Sequence, residues 1–270
     1  MLPLNSMPGE VARGVRAVLT DIDDTLTDNG RLAAATYAAL ERLHDAGLIV
    51  IPVTGRPAGW CDLIARQWPV DGVVGENGAF WFRHDDQSKK TIRRYLRPND
   101  EWQRDRRRLE AIAVEVMRNV PGTALAADQA YRAVDLAIDF SEDVLPLGRE
   151  AVQRIVSAFE REGATAKVSS IHVNAWFGGH DKLTASLAFL QEVFGIDGNS
   201  GQGTIVFVGD SPNDAPMFGH FPHAVGVANV KNFAGQMATL PAYVTNGRSG
   251  AGFVEFSEFL LAQRSFRACP

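Results

Sequence analysis

The chain has 270 residues, 46% of them hydrophobic and 22% charged, with a formal net charge of −5. That is ordinary globular composition, with room for one large domain or two modest ones, and its mild acidity argues against a general nucleic-acid binder, which carries a basic face. The N-terminus holds no apolar segment of signal-peptide length, and nothing resembles a membrane span. Two distant cysteines, Cys61 and Cys269, make no CxxC pair and no disulfide framework, so a reducing cytoplasm is the expected compartment.

In chain order, the apolar run at 15–20 reads as a strand, followed by a helix at 33–46 that Gly47 stops. A second strand at 48–54 contains a proline, which suggests an irregularity there. A helix follows at 57–68, then two short strands within 72–82 around a glycine- and asparagine-bearing turn. After Phe82 the texture changes, and residues 83–108 are far more charged than what precedes them. This middle block reads as a helix at 102–119, a strand at 132–140, a helix at 148–162 and strands at 164–169 and 171–177. From 181 the first texture returns, with helices at 181–194, 214–219, 232–239 and 251–263 alternating with strands at 204–209, 223–228 and 242–245. The expected fold is therefore α/β: a Rossmann-like, doubly wound, mostly parallel sheet with an inserted α+β cap. The core is assigned to 1–83 and 179–270, and the cap to 84–178. Its two connections are expected near 82–86 and 177–181, where Gly178 and Gly179 suit a hinge.

The segment TDIDDTLTDNG at 20–30 crowds four aspartates and three threonines directly after the first strand. Like charges repel and a buried carboxylate is costly, so such crowding implies either a solvated turn or a compensating cation. In open α/β sheets the site lies beyond the carboxyl ends of the strands. Those ends offer Asp21 and Asp23, then Thr54 and Arg56 in VTGR, then Asp210, Asn213 and Asp214 in VGDSPND, with Lys182 opening a later helix.

These motifs, in this order, resemble the haloacid dehalogenase superfamily of phosphotransferases: DIDDT at 21–25, Thr54, Lys182 and GDSPND at 209–214. The long insertion, with TGRP at 54–57 and NGA at 77–79, resembles the Cof-type, subfamily IIB branch. The resemblance implies a Mg²⁺-dependent phosphomonoesterase acting on a small phosphorylated metabolite, a sugar phosphate by preference. Asp21 is then the nucleophile, and Mg²⁺ is held by Asp21, Asp210 and the backbone carbonyl of Asp23. The Asp23 side chain acts as general acid and base. Thr54, Arg56, Asn213 and Lys182 are the phosphate- or substrate-binding candidates. Arg56 is left open between contacting substrate and steadying its loop, and Asp214 between supporting the metal and orienting Lys182. Asp24 and Asp28 read as solvated turn residues. In the cap, His172, Asn174 and Trp176 share one strand face, and polar groups beside a ring suit a sugar. For Trp176, packing into the cap's own core is the preferred expectation. Other readings are a receiver-like switch, a non-catalytic phosphate-binding protein on this fold, and a phosphotransferase or mutase of the same superfamily. The oligomeric state is not legible.

Overall fold

The computed structural model describes residues 1–169 and 171–265; Ser170 and Cys269 lie outside the described residues. A six-stranded parallel sheet forms the centre, in the order Leu2–Pro3, Tyr243–Val244, Val225–Gly226, Ile205–Gly209, Ala17–Thr20, Ile49–Pro52. Its central strands are buried along their whole length, as a parallel sheet covered on both faces requires. Two hydrophobic clusters lie against it, one around Val18, Val50, Val206 and Phe253, the other around Leu19, Ile51, Phe207 and Phe189. Chain order reverses between Ala17–Thr20 and Ile205–Gly209, which opens a crevice at their carboxyl ends.

Pro52 ends its strand in register with Thr20 and does not interrupt it. A single parallel bridge from Val53 to Val74 then leads into a three-stranded antiparallel sheet of Val73–Gly75, Phe80–Asp85 and Lys90–Tyr95. Several elements around the parallel sheet were not anticipated. They include the strand Leu2–Pro3, the helix Gly9–Gly14, and a two-stranded hairpin of Thr27–Asp28 and Arg31–Leu32 beyond the first strand. The expected helix at 232–239 is instead a 3₁₀ segment over Ala228–Gln236.

The second sheet has four antiparallel strands in the order Thr165–Val168, His172–Trp176, Leu136–Asp139, Ala124–Leu125. Helices Asn99–Asn119 and Arg149–Arg161 contribute Leu109, Ile112, Val116, Ile155 and Phe159 to a third hydrophobic cluster, together with Leu136, Val173 and Ala175. The first connection into this body was expected near 82–86. Those residues lie in the hairpin, where His84 pairs with Thr91, while Phe80, Phe82 and Tyr95 pack with the parallel-sheet core. We propose that the inserted unit begins near Pro98. Arg97 ties the two connections together, its Nη1 donating to the Phe177 carbonyl at 2.7 Å.

The strand expected at 132–140 starts only at Leu136. The cause is Glu76, whose carboxylate accepts the backbone N–H groups of Ala133, Val134 and Asp135, the donors a ladder would need. Its Oε1 also accepts the Ala58 amide at the start of helix Ala58–Gln67. Glu76 (φ 43°) and Asn77 (φ 55°) both adopt left-handed backbone, uncommon for a glutamate. The following Gly78 (φ 101°) brings its backbone so close to the Asp181 carbonyl that a Cβ there would collide with it. This turn presses the core against the start of helix Lys182–Phe194. Among the described residues no helix is long and apolar enough to cross a membrane.

Candidate active site

Asp21 follows Thr20 directly, and Asp210 follows Gly209 on the neighbouring strand, so sheet register alone brings the two carboxylates together. Lys182 is the first residue of its helix, where Asp181 caps the end by accepting the Thr184 N–H. Its ammonium is buried and donates to Asp21 Oδ1 and Asp214 Oδ1, both at 2.8 Å. The lysine is thus directed into the crevice and not to the surface.

Asp214 serves two partners at once. Its Oδ2 accepts the amides of Asp210 and Ser211, which fixes the loop that presents Asp210, while Oδ1 holds Lys182. Asp210 is oriented by the Thr25 hydroxyl at 2.9 Å and by the Asn229 amide at 3.0 Å. Asn229 also donates to the Asp24 carbonyl and accepts from the Ser249 amide, so it links three segments. Neither Thr25 nor Asn229 was singled out from the sequence. The available signal for Asn229 was its place just after the strand Val225–Gly226, at the same edge as the acidic groups.

Carboxylate oxygens of Asp21, Asp210 and Asp214 lie within 4.8 Å of one another, all three residues buried. Burial pushes the Asp21 carboxyl up to about 7 against the pull of the Lys182 ammonium. Burial, with Asp21 and Asp214 alongside, also drives Asp210 well above the ordinary aspartate value. Burial disfavours the Lys182 ammonium, but Asp21 and Asp214 more than offset that and raise it above the usual lysine range. Three buried carboxylates face one ammonium. The excess of negative charge and the all-oxygen donor set fit a divalent cation of the Mg²⁺ type.

The Asp23 side chain points elsewhere. Arg56 forks onto it, Nε 3.0 Å from both carboxylate oxygens and Nη2 2.8 Å from Oδ1. Asp23 thus adds no side-chain oxygen to the acidic cluster, consistent with a separate role. Thr54 is buried and its hydroxyl oxygen accepts the Arg56 amide at 3.0 Å, leaving its own O–H free to donate. Asn213 lies at the mouth, its Oδ1 accepting from Ser211 Oγ. A cavity of about 20 Å³ above Asp21 is lined by Asp23, Arg56, Asn77, Arg132, His172 and Asn174, among others. Asn77 Nδ2 is buried beside it without a partner among the described residues.

The inserted unit contributes through one strand face. Val173, Ala175 and Phe177 enter its own cluster, while His172, Asn174 and Trp176 occupy the opposite side. Trp176 thus does not pack into that core. It stacks on His180, and its Nε1 donates to the His180 carbonyl at 3.1 Å. Arg93, Arg94 and Arg97 are each paired with carboxylates of Asp62, Glu192, Glu101 or Asp105.

Residues 18–104 match the family model of haloacid dehalogenase-like hydrolases. Over that stretch the chain is similar to haloacid dehalogenase-like hydrolases. Its sequence is 28% identical to a phosphoglycolate phosphatase of Pyrobaculum neutrophilum over 252 residues, covering 92% of this chain and 97% of that relative. The fold is similar to that of Thermoplasma acidophilum 0175, with a TM-score of 0.70, 18% identity, and coverage of 92% and 98% of the two chains. It is also similar to a sugar phosphatase of HAD subclass IIB, with a TM-score of 0.60, 16% identity, and coverage of 94% and 99%. Together these likenesses support a phosphatase.

Proposed function

We propose that this enzyme hydrolyses phosphate monoesters of small phosphorylated metabolites through an aspartyl-phosphate on Asp21. The observation that carries the reading is the buried grouping of Asp21, Lys182, Asp214 and Asp210 at two adjacent strand ends. Lys182 offsets the repulsion between Asp21 and an approaching phosphate dianion, and Asp214 keeps the ammonium aimed at the nucleophile. Thr54, Asn213 and the Asn77 amide donate to phosphoryl oxygens. Asp21 forms the bond to phosphorus as the leaving alcohol departs with a proton from Asp23. Asp23, now a carboxylate, then takes a proton from the water that cleaves the acyl phosphate, which releases phosphate and restores Asp21. Asp21, Asp210 and the Asp23 carbonyl would hold Mg²⁺, which when bound supplies positive charge against the phosphoryl oxygens.

The inserted unit acts as a cap over this site. Its His172 and Asn174 line the cavity with Arg56 and Arg132, whereas the aromatic ring expected beside a sugar is engaged with His180. The preferred class is a short phosphorylated hydroxy acid: the cavity of about 20 Å³ holds little more than one water and has to widen for any ester, least for the smallest. The Pyrobaculum relative is named for such an acid, which supports the same order.

The test is phosphate release from phosphoglycolate, glycerol phosphates, hexose phosphates and p-nitrophenyl phosphate, with and without Mg²⁺. Mg²⁺-dependent turnover that disappears in Asp21→Asn supports the reading, and the ranking of substrates assigns the class. Undiminished turnover by Asp21→Asn, or none by the unaltered chain on any of these, overturns it.

A further inference from the structure

We propose that Glu142 is a positioning residue through which the inserted unit sets the orientation of the Asp23 carboxylate. The proposal rests on the reading of Asp23 as the general acid and base. Glu142 sits in the loop after strand Leu136–Asp139, and that loop is held rigidly. Asp139, itself buried, accepts the amides of Ser141, Glu142 and Asp143 at 2.8 Å each. The geometry aims Glu142 out of its own unit and toward the crevice.

Its two oxygens are divided between two partners. Oε1 lies 3.4 Å from both Nη1 and Nη2 of Arg56, and Oε2 lies 2.9 Å from His172 Nε2. His172 and Arg56 together hold the Glu142 carboxyl below its usual range, although partial burial opposes them. Arg56 comes from the parallel-sheet body and turns its remaining edge onto Asp23, so one guanidinium spans the carboxylate of the cap and that of the reaction centre. Asp128 is the other carboxylate near Arg56, at 3.6 Å, but both its oxygens already accept from Arg132. Glu142 is therefore the inserted unit's main hold on Arg56, and its departure, together with that of Asp128, would leave the guanidinium fixed from one side, on Asp23 and over the Trp60 ring. A planar fork held at both ends fixes a carboxylate in direction as well as distance. Proton delivery to the leaving alcohol is thereby made conditional on the inserted unit being in place.

The experiment compares turnover of an alkyl phosphate, whose leaving group needs protonation, with that of p-nitrophenyl phosphate, whose leaving group needs little. Glu142→Ala and Glu142→Gln are measured beside Asp23→Asn, with thermal unfolding of each to establish folding. For both Glu142 variants the loss in kcat on the alkyl ester should exceed the loss on the aryl ester by about tenfold. Glu142→Asp, which keeps the charge, should recover part of the difference. Equal losses on the two esters, or no loss on either, overturn the relay. If Asp23→Asn shows the leaving-group dependence and the Glu142 variants do not, only the relay fails. If Asp23→Asn itself loses equally on both, the acid–base reading fails and takes the relay with it.

Discussion

The Lys182 ammonium stands 2.8 Å from the Asp21 carboxylate although the two residues are separated by 161 positions in the chain. Both are buried, so each neutralises a charge that neither could carry alone at that depth. Lys182→Met should leave three buried carboxylates without their cation and cost about 3–5 kcal/mol in metal-free buffer. Mg²⁺ should return part of that loss, because it supplies charge to the same carboxylates. Denaturant unfolding with Mg²⁺ and with chelator measures both effects, and an equal loss in the two buffers would contradict the shared role.

The orientation of Asp210 by Thr25 and Asn229 makes a second expectation. Thr25→Val or Asn229→Ala should raise the Mg²⁺ concentration needed for half-maximal turnover by roughly tenfold or more, as losses of groups behind a metal ligand generally do. Turnover at saturating Mg²⁺ should fall much less. A chelator should abolish turnover in the unaltered chain, and a titration of activity against Mg²⁺ reads all three cases.

Glu76→Gln replaces an acceptor-only group by one that carries its own N–H donors. At a fully buried position that now receives four backbone amides, some of those donors lose their acceptor. The expected cost is about 2–4 kcal/mol. Equilibrium unfolding measures it, and a change below about 0.5 kcal/mol would show that the amides find other partners.

His180 is buried against Trp176, and burial together with the charge of Arg97 lowers its pKa from 6.5 to about 4. The folded state thus favours the neutral ring, while the unfolded chain takes up a proton nearer 6.5. Stability from this residue is present above pH 6.5 and is lost as pH falls toward 4. The loss over that window is at most about 3 kcal/mol. Unfolding free energies at pH 7 and pH 4.5 should differ less in His180→Leu than in the unaltered chain, whatever the variant's absolute stability.

The groups legible in the sequence were those whose place follows from an adjacent strand end. Asp21, Thr54 and Asp210 need only the sheet to be parallel, and Lys182 needs only its helix to begin at that edge. Arg56 was visible as a residue, but its partner was not, since Asp23 lies on another strand's loop and Glu142 in the inserted unit. Glu76 was hidden for a similar reason. Its four acceptor contacts reach residues 58 and 133–135, and no local pattern announces them. The misplaced start of the strand at 132–140 is the same fact seen from the other side. Alternation of apolar residues was correct there, but a distant carboxylate had taken the donors. The boundary set at Phe82 follows a change in charge composition, which marks exposure; strand Lys90–Tyr95 is largely exposed, while Phe80, Phe82 and Tyr95 pack with the parallel-sheet core.

The grip of Glu76 on three successive amides bears on whether the inserted unit could be exchanged for another. A foreign insert spliced between the hairpin and helix Lys182–Phe194 would arrive with its own backbone fully paired. Glu76 would then face it as a stranded anion at the joint. Successful chimaeras of this chain should therefore keep residues 132–135 from the host or replace Glu76 along with the insert. Recombination breakpoints that separate those two stretches should be recovered rarely from a library selected for soluble expression.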